Sequence, residues 1–152
     1  MKSAMSVQYH DLPAPAVERD WRRAIRRGMR GRCPHCGEGR LFRAFLKPVD
    51  ACEACGEALY HQRADDLPPY IVITIVGHIV VGGLVLVEKF GDWSMGMHML
   101  VWPLLTVVLC LALMQPTKGA VIGLQWALRM HGFGGSAPQA EVQPAASRTG
   151  GQ

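Results

Sequence analysis

No long apolar run precedes Tyr70 in this 152-residue chain, and that scarcity limits what the first half can be. A segment so poor in core residues needs a staple, such as a metal, to hold a fold. A secretory leader is missing as well. The early arginines, Arg22, Arg23, Arg26, Arg27 and Arg30, stand without an apolar h-region or a small-residue cleavage site. The first apolar segment is therefore expected to act as an uncleaved signal, leaving everything before it in the cytoplasm. In that reducing compartment clustered cysteines favour metal over disulfides. No Ser–His–Asp set, phosphate loop or open-site metal motif is visible, so the residues lend no support to an enzyme.

What is present is unevenly distributed. Residues 1–32 read as a loosely held basic tail, although Trp21, Ile25 and Met29 would share one face if WRRAIRRGMRGR were helical. The arginines on its other sides suit an anionic membrane surface or plain solvation. Residues 33–60 hold two cysteine pairs, with LFRAFLKPV between them as a short hairpin stopped by Pro48. Residues 61–69 form a polar connector. Residues 70–87 carry no formal charge if His78 is neutral, and residues 99–114 are a second apolar run, so both are expected to cross a bilayer. Glu88, Lys89 and Asp92 mark residues 88–98 as an external loop.

Beyond the second span, Gln115, Pro116 and Lys118 interrupt the apolar run. Residues 117–131 place Lys118, Gln125 and Arg129 on one face, which suggests an amphipathic helix lying in the interface with Trp126 at the headgroups. Residues 132–152 are rich in Gly, Ala, Ser and Pro and read as a disordered tail. Of the sixteen Lys and Arg, twelve precede Tyr70, one lies between the spans and three follow Met114. The positive-inside rule then puts both termini in the cytoplasm. The expected fold is an α-helical membrane protein: a two-helix transmembrane hairpin, an N-terminal four-cysteine zinc ribbon and a C-terminal interfacial helix.

The sharpest chemical signal is Cys33-Pro-His-Cys36-Gly followed, after fifteen residues, by Cys52-Glu-Ala-Cys55-Gly. Two residues between cysteines let a tight turn aim both sulfurs at one ion, and two such pairs make a tetrahedral zinc set. Gly37 and Gly56 supply the positive φ that such a turn needs. Four thiolates leave no open position for water, so the expected Zn²⁺ is structural. Cys-Pro-His-Cys also occurs in thioredoxin-type redox sites, but no βαβ framework surrounds it here.

Other polar residues offer weaker signals. Asp65 or Asp66 can cap the first span, with Pro68 and Pro69 opening it. Together with His61 they could instead form a polar site at the cytoplasmic surface. His78 is an ionisable group in mid-span, beside Gly77 and before Gly82 and Gly83, a small-residue face that admits another helix. Tyr70, Trp93 and Trp126 are expected as interfacial anchors. The ribbon offers no obvious stacking platform for nucleic acid beyond Phe42 and Phe45, which its own core needs.

These residues together resemble the DUF983 family of uncharacterised bacterial proteins. The resemblance is carried by Cys33-Pro-His-Cys36-Gly-Glu-Gly-Arg-Leu-Phe42, Cys52-Glu-Ala-Cys55-Gly, Arg63-Ala-Asp-Asp-Leu-Pro-Pro-Tyr70, Val76-Gly-His78 and Gln115-Pro-Thr-Lys-Gly-Ala. It implies a bacterial inner-membrane protein without established activity. It tilts the expected partner toward a respiratory oxidase or its assembly factors, while the closed metal site, the absence of a nucleophile–base set and the small-residue helix face motivate a non-enzymatic accessory or assembly role. The alternative is a metal- or haem-handling protein using His78 and the His61, Asp65, Asp66 group.

Overall fold

The computed structural model describes residues 18–133. Helix α1 spans Trp21–Met29, strands β1 and β2 span Phe42–Ala44 and Lys47–Pro48, and helices α2 and α3 span Leu67–Phe90 and Met95–Ala127. A short 3₁₀ turn, Met130–Gly132, follows. The two tails, 1–17 and 134–152, lie outside the described residues, and with them most of both expected disordered segments.

Asp20 starts α1: its carboxylate accepts from the Arg22 and Arg23 amides at 3.0 and 3.1 Å. Those two amides hold its pKa below the usual carboxylate value, Arg23 contributing most. Part of the expected basic tail is thus an ordered helix, and its buried face is not the one marked by large apolar residues. Ala24 and Gly28 are buried against α3, while Trp21 and Met29 stay half exposed. Close approach is the reason. A Cβ at Gly28 or Gly119 would strike the other's backbone carbonyl, and one at Gly123 would strike that of Ala24. Small residues four apart on each helix let the two backbones touch, which bulky side chains forbid.

Helix α2 opens with Pro68 and Pro69 in its first turn, where a missing amide costs nothing. Asp66 occupies the cap position, yet its side chain makes no capping bond. Asp65 pairs instead with Lys118 of α3 at 3.4 Å. After residues 91–94, Ser94 caps α3 by accepting from Met97 N at 3.4 Å. The helices meet through small residues again, the Trp102 indole lying over Gly83. Both are long and apolar enough to cross a membrane, and only 11% and 6% of their most apolar stretches is buried.

The largest departure from expectation is at Pro116. The second span and the interfacial helix are one continuous helix of 33 residues, with Pro103 and Pro116 inside it. An internal proline costs about 3 kcal/mol through its lost hydrogen bond and steric clash. Burial beyond it offsets that cost: Gly119, Val121, Ile122, Gly123, Gln125, Trp126 and Ala127 are all packed away. Trp126, 6% exposed, is therefore a core residue and not a headgroup anchor. Lys118 and Gln125 still share a face, but it meets the connector. Gln125 donates to Arg63 O at 2.9 Å and accepts from Arg63 N at 3.0 Å.

The core lies where the cysteine segment, α1 and this end of α3 converge. Leu41, Leu59 and Ile122 are fully buried there, with Ala24, Ala64, Trp126 and Phe133 around them and Ile71 of α2 packed against the edge. No buried side-chain nitrogen or oxygen among the described residues lacks a partner.

Candidate metal centre

Each cysteine pair sits on the same tight turn. The Gly37 amide donates to Cys33 O and the Gly56 amide to Cys52 O, both at 2.9 Å. Gly37 and Gly56 adopt φ of 82° and 72°, the left-handed values that a Cβ disfavours. Single antiparallel bridges, Arg32 with Arg40 and Ala51 with Ala58, hold the two turns open-ended toward each other. The β1–β2 hairpin joins them, turning at Leu46 with φ 60°.

The geometry fits a single ion. All four sulfurs lie within 4.8 Å of one another. Cys33 to Cys55 and Cys36 to Cys52 are both 3.8 Å, and all four thiols are free of disulfides. A tetrahedron with metal–sulfur bonds of ~2.3 Å has sulfur–sulfur edges of about 3.8 Å. Cys33 and Cys52 are buried, Cys36 is intermediate and Cys55 exposed, so the set would close an ion off on one side and top it from the surface. Gly39 must lack a side chain, because a Cβ there would collide with Cys52 Sγ.

Local amides prepare the sulfurs unequally. The Gly39 amide, opposed by burial and aided by the Glu38 amide, pulls the Cys36 thiol down to about 6. Burial pushes Cys33 and Cys55 up. A buried neutral thiol beside a ready thiolate is a site whose remaining protons leave only when a cation takes their place.

Residues that spacing did not single out tie this centre to α3. His35, between the first two cysteines, has Nδ1 3.5 Å from Glu57 Oε2. Trp126 Nε1 donates to Glu57 Oε1 at 2.8 Å. Arg19 stacks over the Trp126 ring at 4.2 Å and donates to Trp126 O at 2.7 Å. Both cysteine turns thereby reach one indole. The sequence signal was available: a lone tryptophan flanked by Gln125 and small residues reads as core once the helix is allowed through Pro116.

The other polar candidates are dispersed. Among the described residues, the four cysteines are the group of three or more metal-ligating side chains close enough to share an ion. The His61 ring packs on Tyr60 and Phe133, Asp65 pairs with Lys118, and Asp66 stands at the start of α2. His78 is exposed, its Nδ1 donating to Thr74 O at 2.7 Å. At the far end of the spans, Trp93 lies near the rings of His98 and Trp102. The Trp102 Nε1 proton goes to His98 Nδ1 at 3.0 Å, and His98 Nε2 faces Glu88 at 3.5 Å. Tyr70 is exposed on α2.

Fold and centre together define a small, mostly helical protein in which two helices long and apolar enough to cross a membrane carry a four-cysteine cluster close enough to hold a metal ion. Residues 42–126 match the family described as "Protein of unknown function (DUF983)", and the chain belongs to that family. The match starts after the first cysteine pair and ends at Trp126. No curated protein and no solved structure matches the chain.

Proposed function

We propose that this protein is a non-enzymatic accessory protein of the bacterial inner membrane. In this reading α2 and α3 cross the bilayer as a hairpin, both termini are cytoplasmic, and the four cysteines hold a structural Zn²⁺. Zinc would supply folding free energy of about 10–16 kcal/mol to a segment with a small core. Its four sulfur ligands leave no position for a reacting water, so the ribbon acts as a rigid platform.

The observation that carries the reading is the contrast between a ribbon that shares a buried core with α1 and the end of α3 and two nearly uncovered apolar helix stretches. The spans are 11% and 6% buried, and a groove along α2 is lined by Ile73, Thr74, Gly77, His78, Val81 and Gly82. A Cβ at Gly77 or Gly82 would meet nothing. A glycine-floored groove with one imidazole suits a helix of a larger membrane complex, since small residues admit close backbone approach. The expected complex is a respiratory oxidase or its assembly factors.

A photo-cross-linker at residue 78, activated in native membranes, tests this. Capture of a membrane-complex subunit, lost when Gly77 and Gly82 become leucine, is the expected outcome. Capture of lipid alone, together with unchanged oxidase levels on deletion, sinks it. Purified protein should carry one zinc per chain and no copper.

A further inference from the structure

A second feature lies on the far side of α1. A cleft of about 620 Å³ opens between the start of α1, the first cysteine turn and the end of α3, and Arg19, Arg23, Arg27 and Arg129 all line it. Two carboxylates, Glu18 and Asp20, also line it, which leaves a surplus of two positive charges. Asp20 accepts from the α1 amides, and its other oxygen lies 3.8 Å from Arg23 Nε. Glu57, bonded to Trp126 and facing His35, borders an adjoining groove that Arg19 and Arg129 also line, and its charge acts on Arg19.

Two of the four guanidiniums are held in place before any ligand arrives. Arg27 donates to Pro34 O and His35 O, and Arg19 to Trp126 O and Phe133 O. Each keeps further N–H donors, since a guanidinium has five in a planar fork. Burial, and next the charge of Arg129, lower the Arg19 pKa. Like charges held together in a cleft mark a place where an anion lowers the energy. Arg129 itself sits in the left-handed region at φ 56°, ψ 33°. A residue with a Cβ is strained there by about 1–2 kcal/mol, and strain of this kind gathers at ligand clamps.

We propose that this cleft binds a small soluble phosphate monoester, its dianionic phosphate taken by the converging arginines. Planar guanidiniums match phosphate oxygens two at a time, which a lysine cluster does not. A lipid headgroup offers the same chemistry but lies out of reach. From Lys118, level with the start of α2, to Trp126 is eight residues of helix, about 12 Å at 1.5 Å per residue.

The test uses the full chain in phosphatidylcholine nanodiscs, titrated with inorganic phosphate and with glycerol 3-phosphate. Calorimetry reports affinity, and the Trp126 indole N–H resonance reports location. Saturable one-site binding that shifts this resonance is expected. Arg23→Gln should weaken it about tenfold, as loss of a charge-assisted contact does. The Arg23 side chain is 64% exposed, so its replacement leaves the fold intact. Arg22→Gln, on a different groove with Trp21 and Ile25, should change nothing. Absence of saturation, or equal weakening by both variants, overturns the proposal. So does competition by nanodiscs containing roughly one-third phosphatidylglycerol, which would assign the cleft to headgroups.

Discussion

Helix α3 behaves as two different objects on either side of Pro116. Before the proline its apolar side chains are largely exposed; Leu100, Leu104 and Leu111 are 66%, 61% and 57% accessible. After it, Ile122 is wholly buried and Trp126 nearly so. Glycines mark the same division: Gly119 and Gly123 are in backbone contact, whereas Gly77 and Gly82 face open space. One rule, that small residues let helices approach closely, is satisfied inside the chain at one end and left unfilled at the other. The polar end completes itself, and the apolar end is built for surroundings.

The sharpest way to break the comparison is to unmake the packed end. Cys33→Ser, or stripping metal with a chelator, should unfold the ribbon, whose ion is expected to contribute on the order of 10 kcal/mol. Limited proteolysis should then cut within 33–60 while far-ultraviolet dichroism of α2 and α3 persists. Loss of both together would show that the two ends are one cooperative unit.

Matched glycine substitutions come next. Gly119→Leu forces a side chain into the Gly28 carbonyl and should destabilise the ribbon junction by about 3 kcal/mol or more. Gly77→Leu, with nothing near its Cβ, should change the isolated protein's stability by less than about 0.5 kcal/mol. Chemical denaturation of the detergent-solubilised chain, monitored at Trp126, separates them. Equal effects would erase the distinction drawn here.

Smaller again is Trp126→Phe. It keeps the ring and removes the donor to Glu57, leaving a partly buried carboxylate short of one bond. A cost of about 1.5–3 kcal/mol is expected, measured as a shift in the denaturation midpoint. Smallest is the pH dependence of α1. The folded-state pKa of Asp20 is depressed, so its cap is fully formed above the ordinary carboxylate pKa and is lost as pH falls through the folded value. Protection of the Arg22 and Arg23 amides against exchange, relative to their intrinsic rates at each pH, should fall in acid, and Asp20→Ala should abolish that change.

How far the chain could be read beforehand divides along the same line. The cysteine spacing, the glycines after each pair and the two apolar runs are local signals, and each needs only neighbours in sequence. What escaped needed a partner far along the chain. Ala24-x-x-x-Gly28 and Gly119-x-x-x-Gly123 carry the small-residue spacing in plain view. Each means little until the other is set against it, and the arginines around the first drew attention to its charged surface. Trp126 was ambiguous for a related reason. An amphipathic helix on a membrane and one against a cytoplasmic fold show the same periodicity, and only tertiary burial tells them apart. His61, Asp65 and Asp66, neighbours in sequence, turn to Phe133, Lys118 and solvent respectively, which spacing alone does not reveal.

Because α3 runs unbroken from Ser94 to the ribbon core, the domain is mounted on the span as a dial is on a shaft. Gly119 to Ala127 stands about 12 Å beyond the pair formed by Lys118 and Asp65. A change of tilt by about 20°, the ordinary spread among membrane helices, would carry the cysteine end sideways by about 4 Å. Whatever leans on the apolar length of α3 would thus be felt at its cysteine-bearing head.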